Sequence, residues 1–249
     1  MLRKVLKLVG YLLLIAFLVV TLAFSSRESR NVACRNIQID FKEDELIKIS
    51  KPEIERLIRA ADNQIIGKPL RQINAEFIET EVEKHQVILK ADVYKVMAKD
   101  STSYKGILGV RVSHRKPAVR IMSSTGSYYL DNTGEQIPVS LNYTANVLVA
   151  TGYFSEEYAR ESLLPFVLHI DEDYFWKAQL EQIHVEQNGD LVLTPLVGDH
   201  LIELGPLENY EIKLRNMKAF YKQVMVRNNW DKYDKISLKY KNQVIAKKR

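Results

Sequence analysis

The stretch from Leu8 to Phe24 carries no charged residue, and it constrains the chain more than any other feature. With Val5 and Leu6 added and Lys7 snorkelling toward the headgroups, the apolar run reaches about 20 residues, the length that crosses a ~30 Å hydrocarbon core. The expectation is an uncleaved transmembrane helix over residues 8–24, behind a short tail of residues 1–7. A cleaved secretory signal is the competing reading. Its apolar region usually runs to about 7–15 residues, and Ala23 and Ser25 supply small residues for a cleavage site. Arg3, Lys4 and Lys7 precede the span and Arg27, Arg30 and Arg35 follow it, so the positive-inside count is nearly balanced. A tail this short holds no domain, and everything functional is expected after the span.

The 249 residues, 46% of them hydrophobic and 27% charged, give enough apolar surface for a packed core and room for two small domains. The net charge is +5, but the basic residues are interleaved with 31 acidic ones, which argues against the one-sided stripe that nucleic acid requires. The densest basic run goes from Lys232 through Lys235, Lys239, Lys241 and Lys247 to Arg249; it reads as a solvated face or as a docking surface for an acidic partner. Cys34 is the single cysteine, so no internal disulfide forms. It is not a lipoprotein cysteine by pattern, because Arg27, Glu28 and Arg30 separate it from the apolar run and Asn31 stands where a leucine is needed.

After a polar linker over residues 25–33, Ile37, Ile39 and Phe41 alternate with Asn36, Gln38 and Asp40 as in a half-buried strand. Ser50, Pro52 and Glu53 form a capping-box signature opening a helix whose stripe is Ile54, Leu57, Ile58 and Ala61. Asn74 is placed to cap a second helix, with Ile73 and Ile78 as a hydrophobic staple and Val82 continuing the buried face. Between them, Gly67-Lys68-Pro69-Leu70 reads as a turn into a short extended segment and lacks the spacing of a phosphate loop. Val87, Leu89, Ala91 and Val93 then predict the inner face of a strand, and Leu108, Val110 and Val112 that of another. The order is βααββ.

From Lys116-Pro117 onward short strands alternate with turn residues. Asn188-Gly189 predicts a hairpin with a type I′ turn, both central residues at positive φ. Helices are expected at Ser155–Val167, bent or ended by Pro165, at Asp171–Gln179, and at Tyr210–Asn228 with Leu214, Met217, Phe220, Tyr221 and Val224 inward. Lys235–Tyr240 alternates as a strand that Val244-Ile245 prolongs, so a sheet edge is expected near the end of the sequence given.

Catalytic signatures fail. No nucleophile elbow, His-Glu-x-x-His helix or dinucleotide-binding Gly-x-Gly-x-x-Gly is present, and His85, His114, His169, His184 and His200 stand apart from one another and from Cys34. His184 and His200 fall in predicted strands, with pairing or surface roles. His169 beside Asp171, Glu172 and Asp173 is the sharpest catalytic candidate, against which Asp171 reads as the cap of the helix holding Phe175 and Trp176. Phe175, Trp176, Tyr128 and Tyr129 read as core rather than as a ligand-stacking surface. No catalytic residue, cofactor or metal site is expected.

Several strings in order resemble the FtsQ/DivIB family of bacterial cell-division proteins. Gly67-Lys68-Pro69-Leu70 and Val87 to Val93 resemble parts of a POTRA domain, and Val110 to Pro117 is similar to the family's strand handing over to a β domain. Tyr129-Leu130-Asp131 with Gly134 resembles the hairpin that opens that domain, and Tyr233 to Tyr240 its closing strand. The resemblance implies an α+β chain: the transmembrane helix, a POTRA domain over 34–116 and a β-rich domain with helices over 117–249. It implies a non-enzymatic divisome scaffold in the bacterial inner membrane, enriched at the division site, with the N-terminus cytoplasmic and both domains periplasmic. Its partners would be FtsB/DivIC-like and FtsL-like membrane proteins, with no nucleic acid and no small-molecule substrate. By position, Lys239, Tyr240, Asn242, Gln243 and Val244 match the partner-binding part of the closing strand, departing from the family in placing polar Asn242 and Gln243 at small-residue positions. The alternatives are a POTRA-containing component of outer-membrane assembly or secretion, and a membrane-anchored hydrolase built on His169.

Overall fold

A computed structural model of the chain describes residues 9–21, 32–42, 49–99, 104–124, 126–140, 143–224, 230 and 232–249. Residues 9–21 form helix α1, whose apolar side chains are exposed, Phe17 by 70% and Leu13 by 67%. At 1.5 Å per residue this helix is about 20 Å long, shorter than a ~30 Å hydrocarbon core. Among the described residues no helix is long and apolar enough to cross a membrane. The rest of the expected span, Leu8 and residues 22–24, lies outside the described residues, as do the tail 1–7 and linker residues 25–31.

The chain divides into two compact units, one ending at His114 and one beginning at Arg115. The first contains β1 (Cys34–Phe41), α2 (Lys51–Ala61), α3 (Ala75–Glu83), β2 (Ile88–Lys99) and β3 (Tyr104–His114). This is the expected βααββ order. β3 is the central strand, parallel to β1 and antiparallel to β2. Ile54, Ile58, Ile78 and Val82 from the helices are buried together with Leu108, Val110 and Val112 of β3, each large side chain contributing about 2 kcal/mol of transfer free energy.

Local chemistry sets the helix starts. Asn74 Oδ1 accepts the Phe77 N–H at 3.1 Å, as expected of a cap. α2 begins where predicted, yet the capping box does not form: the Ser50 side chain makes no capping bond, and its carbonyl accepts the N–H groups of Glu53 and Ile54. β2 also departs from strict alternation. A bulge between Ile88 and Lys90 buries Ile88 and leaves Leu89 50% exposed, while Ala91 and Val93 face the core as predicted. One inserted residue reverses the facing of the strand residues before it, while Val87, just ahead of the strand, is buried. Gly67, at φ 89°, turns the chain so that residues 67–70 bond along the start of β1, with Cys34 N–H donating to Lys68 O at 2.9 Å.

The second unit is one nine-stranded mixed sheet in the order β12-β11-β10-β9-β8-β7-β4-β5-β6. Its strands are β4 (Pro117–Ser123), β5 (Gly126–Asp131), β6 (Gln136–Pro138), β7 (Leu148–Gly152), β8 (Leu180–Val185), β9 (Leu191–Pro195), β10 (Leu201–Gly205), β11 (Tyr233–Ser237) and β12 (Ile245–Lys248). β7 and β8 are parallel, as are β10 and β11. Parallel neighbours need long crossovers, and these carry the helices: α4 (Glu156–Tyr158), α5 (Leu164–Glu172) and α6 (Tyr174–Gln179) in the first, α7 (Tyr210–Gln223) in the second. Phe166, Ile170, Trp176, Leu214, Met217 and Tyr221 from the helices share one core with the sheet.

Three expectations are corrected here. The helix from Ser155 does not end near Pro165 but continues to Glu172, because a π-helical turn over Ala159–Leu163 widens the ladder just before the residue that lacks an N–H. Asp173, not Asp171, caps the helix of Phe175 and Trp176: its Oδ1 accepts the Phe175 N–H at 2.9 Å, while Asp171 lies in α5 and pairs with Lys177 at 2.6 Å. The β8–β9 hairpin forms at Asn188-Gly189, but only Gly189 has positive φ. Gly189 N–H donates to Glu186 O, so the single left-handed residue is the last of a four-residue turn. Residues 225–229, where the expected last helix ended, lie outside the described residues.

Asp131, 1% exposed, ties down the β5–β6 hairpin. Its carboxylate accepts the N–H groups of Thr133 and Glu135 at 2.8 and 2.9 Å, the Thr133 hydroxyl at 2.7 Å and the Arg115 guanidinium at 2.8 Å. Burial pushes its pKa up, and these bonds outweigh burial, leaving it below the usual carboxylate value.

Candidate partner interface

The five residues matched to partner binding do not lie in a strand. β11 stops at Ser237; Leu238 remains tied to the sheet, its N–H donating to Glu203 O at 2.8 Å, and is buried. The chain then turns. Gln243 N–H donates to Tyr240 O at 3.3 Å, and Asn242 adopts φ 59°, a left-handed conformation that asparagine tolerates better than branched or bulky residues do. After it β12 folds back antiparallel on β11, pairing Ser237 with Ile245, Ile236 with Ala246 and Lys235 with Lys247. Lys239, Tyr240, Asn242, Gln243 and Val244 therefore form the connection of a hairpin, and the expected continuous strand is two strands.

β12 is the outermost strand of the sheet, so one side of its backbone faces away from β11. The opposite edge is different: β6 spans three residues and ends in Pro138, which has no N–H to offer. Ile245 is 47% exposed on β12.

Four of the five predicted residues line a cleft of about 440 Å³ beside that edge. Its other wall is the start of α7 and the loop before it, with Pro206, Asn209, Ile212 and Lys213. Tyr240 is 60% exposed and Ile212 40%, giving the cleft an apolar lip. Val244 packs partly buried against the core and does not line it. Lys239 packs closely on Gly205, which has φ 75° and where a Cβ would lie 3.1 Å from the Lys239 side chain.

The cleft is basic. Lys213, Lys239 and Lys241 line it against a single carboxylate, Glu208. Lys239 Nζ bonds Asp190 Oδ2 at 2.7 Å, which raises its pKa. Lys213 Nζ donates to Pro206 O at 2.6 Å, and burial pulls its pKa down. From Lys239 to Arg249 the chain carries five cationic residues and no acidic one. An acidic segment with one or two apolar side chains fits this chemistry. The wall from α7 and the β12 backbone were missed in the sequence; the polar break at Asn242-Gln243, with an asparagine suited to left-handed φ, was the available signal for a turn.

The other candidates do not assemble. His169 packs edge-to-face on Tyr210 at 5.2 Å, while Asp173 is held by Lys218 at 2.7 Å and Asp171 by Lys177. His184 Nδ1 meets Thr151 Oγ1 at 2.9 Å across β7 and β8. His200 precedes β10, and it is buried rather than on the surface. Trp176, Tyr128 and Tyr129 are buried, and Phe175 packs edge-to-face on Trp176 at 5.0 Å.

Residues 116–247 match the family described as FtsQ/DivIB, C-terminal related. Residues 32–100 match a POTRA-like domain, a stretch that takes in β1, α2, α3 and β2 of the first unit. No curated protein matches the chain. The C-terminal match covers more than half of the 249 residues and contains the cleft and the strand edge beside it, and the chain belongs to the FtsQ/DivIB family of bacterial cell-division proteins.

Proposed function

We propose that the chain is a single-pass inner-membrane scaffold of the division machinery that captures FtsB/DivIC-like and FtsL-like partners at the β12 edge and the basic cleft beside it, and so helps regulate septal peptidoglycan synthesis. The observation that carries this reading is a strand, outermost in its sheet among the described residues, whose incoming connection lines an apolar-lipped, lysine-lined cleft. A partner strand added to β12 gains main-chain hydrogen bonds, and its flanking acidic segment gains Lys213, Lys239 and Lys241. Lys239, Tyr240, Asn242 and Gln243 act from the hairpin connection, lining the cleft, while Val244 anchors that connection by packing against the core. The uncharged run from Leu8 to Phe24 would tether both units to the outer face of the inner membrane, confining the search for partners to its surface.

The test is photocrosslinking from Tyr240 and Ile245 in cells depleted of the native copy. Crosslinks to a small membrane protein, together with filamentation on depletion, are expected. Tyr240→Glu places a carboxylate in the cleft and should weaken capture by about tenfold or more. Normal division on depletion, or undiminished capture by the Tyr240→Glu protein, would overturn the reading.

A further inference from the structure

Among the described residues β2 is the outer strand of the first sheet, with β3 on one side only. In an antiparallel ladder alternate N–H groups point toward the partner and away from it. Two of the outward donors are occupied by side chains. The Ala91 N–H donates to Glu83 Oε1 at 2.9 Å, and the Val93 N–H to Glu79 Oε1 at 2.6 Å.

The fit comes from matched spacings. Outward donors recur every second residue along a strand, about 6.8 Å apart. Glu79 and Glu83 are four residues apart on α3, where the rise is about 6 Å. The helix thus sets two carboxylates where a neighbouring strand would set two carbonyls. On the same strand the Lys95 side chain ties β2 to the segment before α3, its Nζ donating to Ile73 O at 2.7 Å.

We propose that Glu79 and Glu83 serve as a surrogate strand that stops β2 from pairing with the β2 of a second copy of this chain. The identical edge is the competitor always present, and an antiparallel two-fold pairing would bring the same donors and carbonyls together on both copies. Acceptors on a helix satisfy the donors without offering a further edge, so the closure does not propagate.

The experiment uses the full chain in detergent, reading amide hydrogen exchange and sedimentation. Glu83→Ala should speed exchange at Ala91 alone, and Glu79→Ala at Val93 alone, each by about tenfold or more, the scale of a lost charge-assisted bond. The double alanine variant should form dimers whose population rises with concentration, while Glu79→Gln with Glu83→Gln, which keeps an acceptor oxygen at each place, should remain as monomeric as the parent. A double alanine variant as monomeric as the parent overturns the proposal, as does a glutamine pair that associates equally. If the double variant fails to fold, the single variants decide: exchange that does not separate by amide overturns the proposal, and amide-specific exchange supports it.

Discussion

His200 is 1% exposed, its Nε2 lies 2.7 Å from the Tyr221 hydroxyl, and its Nδ1 has no hydrogen-bond partner among the described residues. The Tyr221 and Trp230 rings lie against it, 5.6 and 6.4 Å away by centroid. Burial pulls its pKa below the ordinary value, the Arg249 charge pulls the same way and Asp199 opposes both. The unfolded chain therefore takes up a proton at a higher pH than the folded one. Stability from this residue is complete above about 6.5, the unfolded value, and falls as pH drops from there toward the folded value. Urea midpoints of the second unit should decline between pH 7 and pH 5, and His200→Gln, which does not titrate, should flatten that slope. An unchanged slope would exclude His200 as its source. Nothing in the sequence near His200 indicated burial, because Tyr221 and Trp230 are distant in the chain and meet it only in the fold.

The C-terminal hairpin carries the functional reading at the scale of elements. Period-two alternation over Lys235–Tyr240 was legible and half right: Tyr233–Ser237 is a strand, and the apolar Leu238 stays buried after it. The reversal at Tyr240–Asn242 was not legible as such, since alternation describes which face a residue takes and says nothing about where a strand turns back. The consequence is testable with proline. N–H groups alternate along β12, so of Ala246→Pro and Lys247→Pro one removes a donor to β11 and the other a donor from the free edge. One variant should lower the melting temperature of the second unit. The other should leave it within a few degrees of the parent while abolishing partner capture in a pull-down. Equal capture by both folded variants would show that β12 does not accept a strand.

Among the described residues the molecule holds two cores that share no residue, one drawn from residues up to Val112 and one from Val119 onward. Both tryptophans, Trp176 and Trp230, fall in the second unit, so their fluorescence reports that unit alone while far-ultraviolet circular dichroism reports both. Ile54→Ala empties a fully buried site in the first core and should cost that unit roughly 2–5 kcal/mol. The expected result is a circular-dichroism transition that moves to lower urea while the tryptophan transition stays in place. A shift of both would mean that the units unfold together.

The sequence by itself determined the apolar run, the βααββ order, the cap at Asn74 and the hairpin sites at Gly134 and Gly189. Each depends on residues within a few positions of one another, through periodicity, capping or backbone freedom. Only the tertiary structure decided that β3 is central, that β2 is closed by Glu79 and Glu83, that Asp173 outcompetes Asp171 as a cap, and that β12 rather than β11 is the edge. Those outcomes turn on which strands and helices meet across long stretches of chain, and pairing partners are chosen by the burial of the whole sheet rather than by any local pattern.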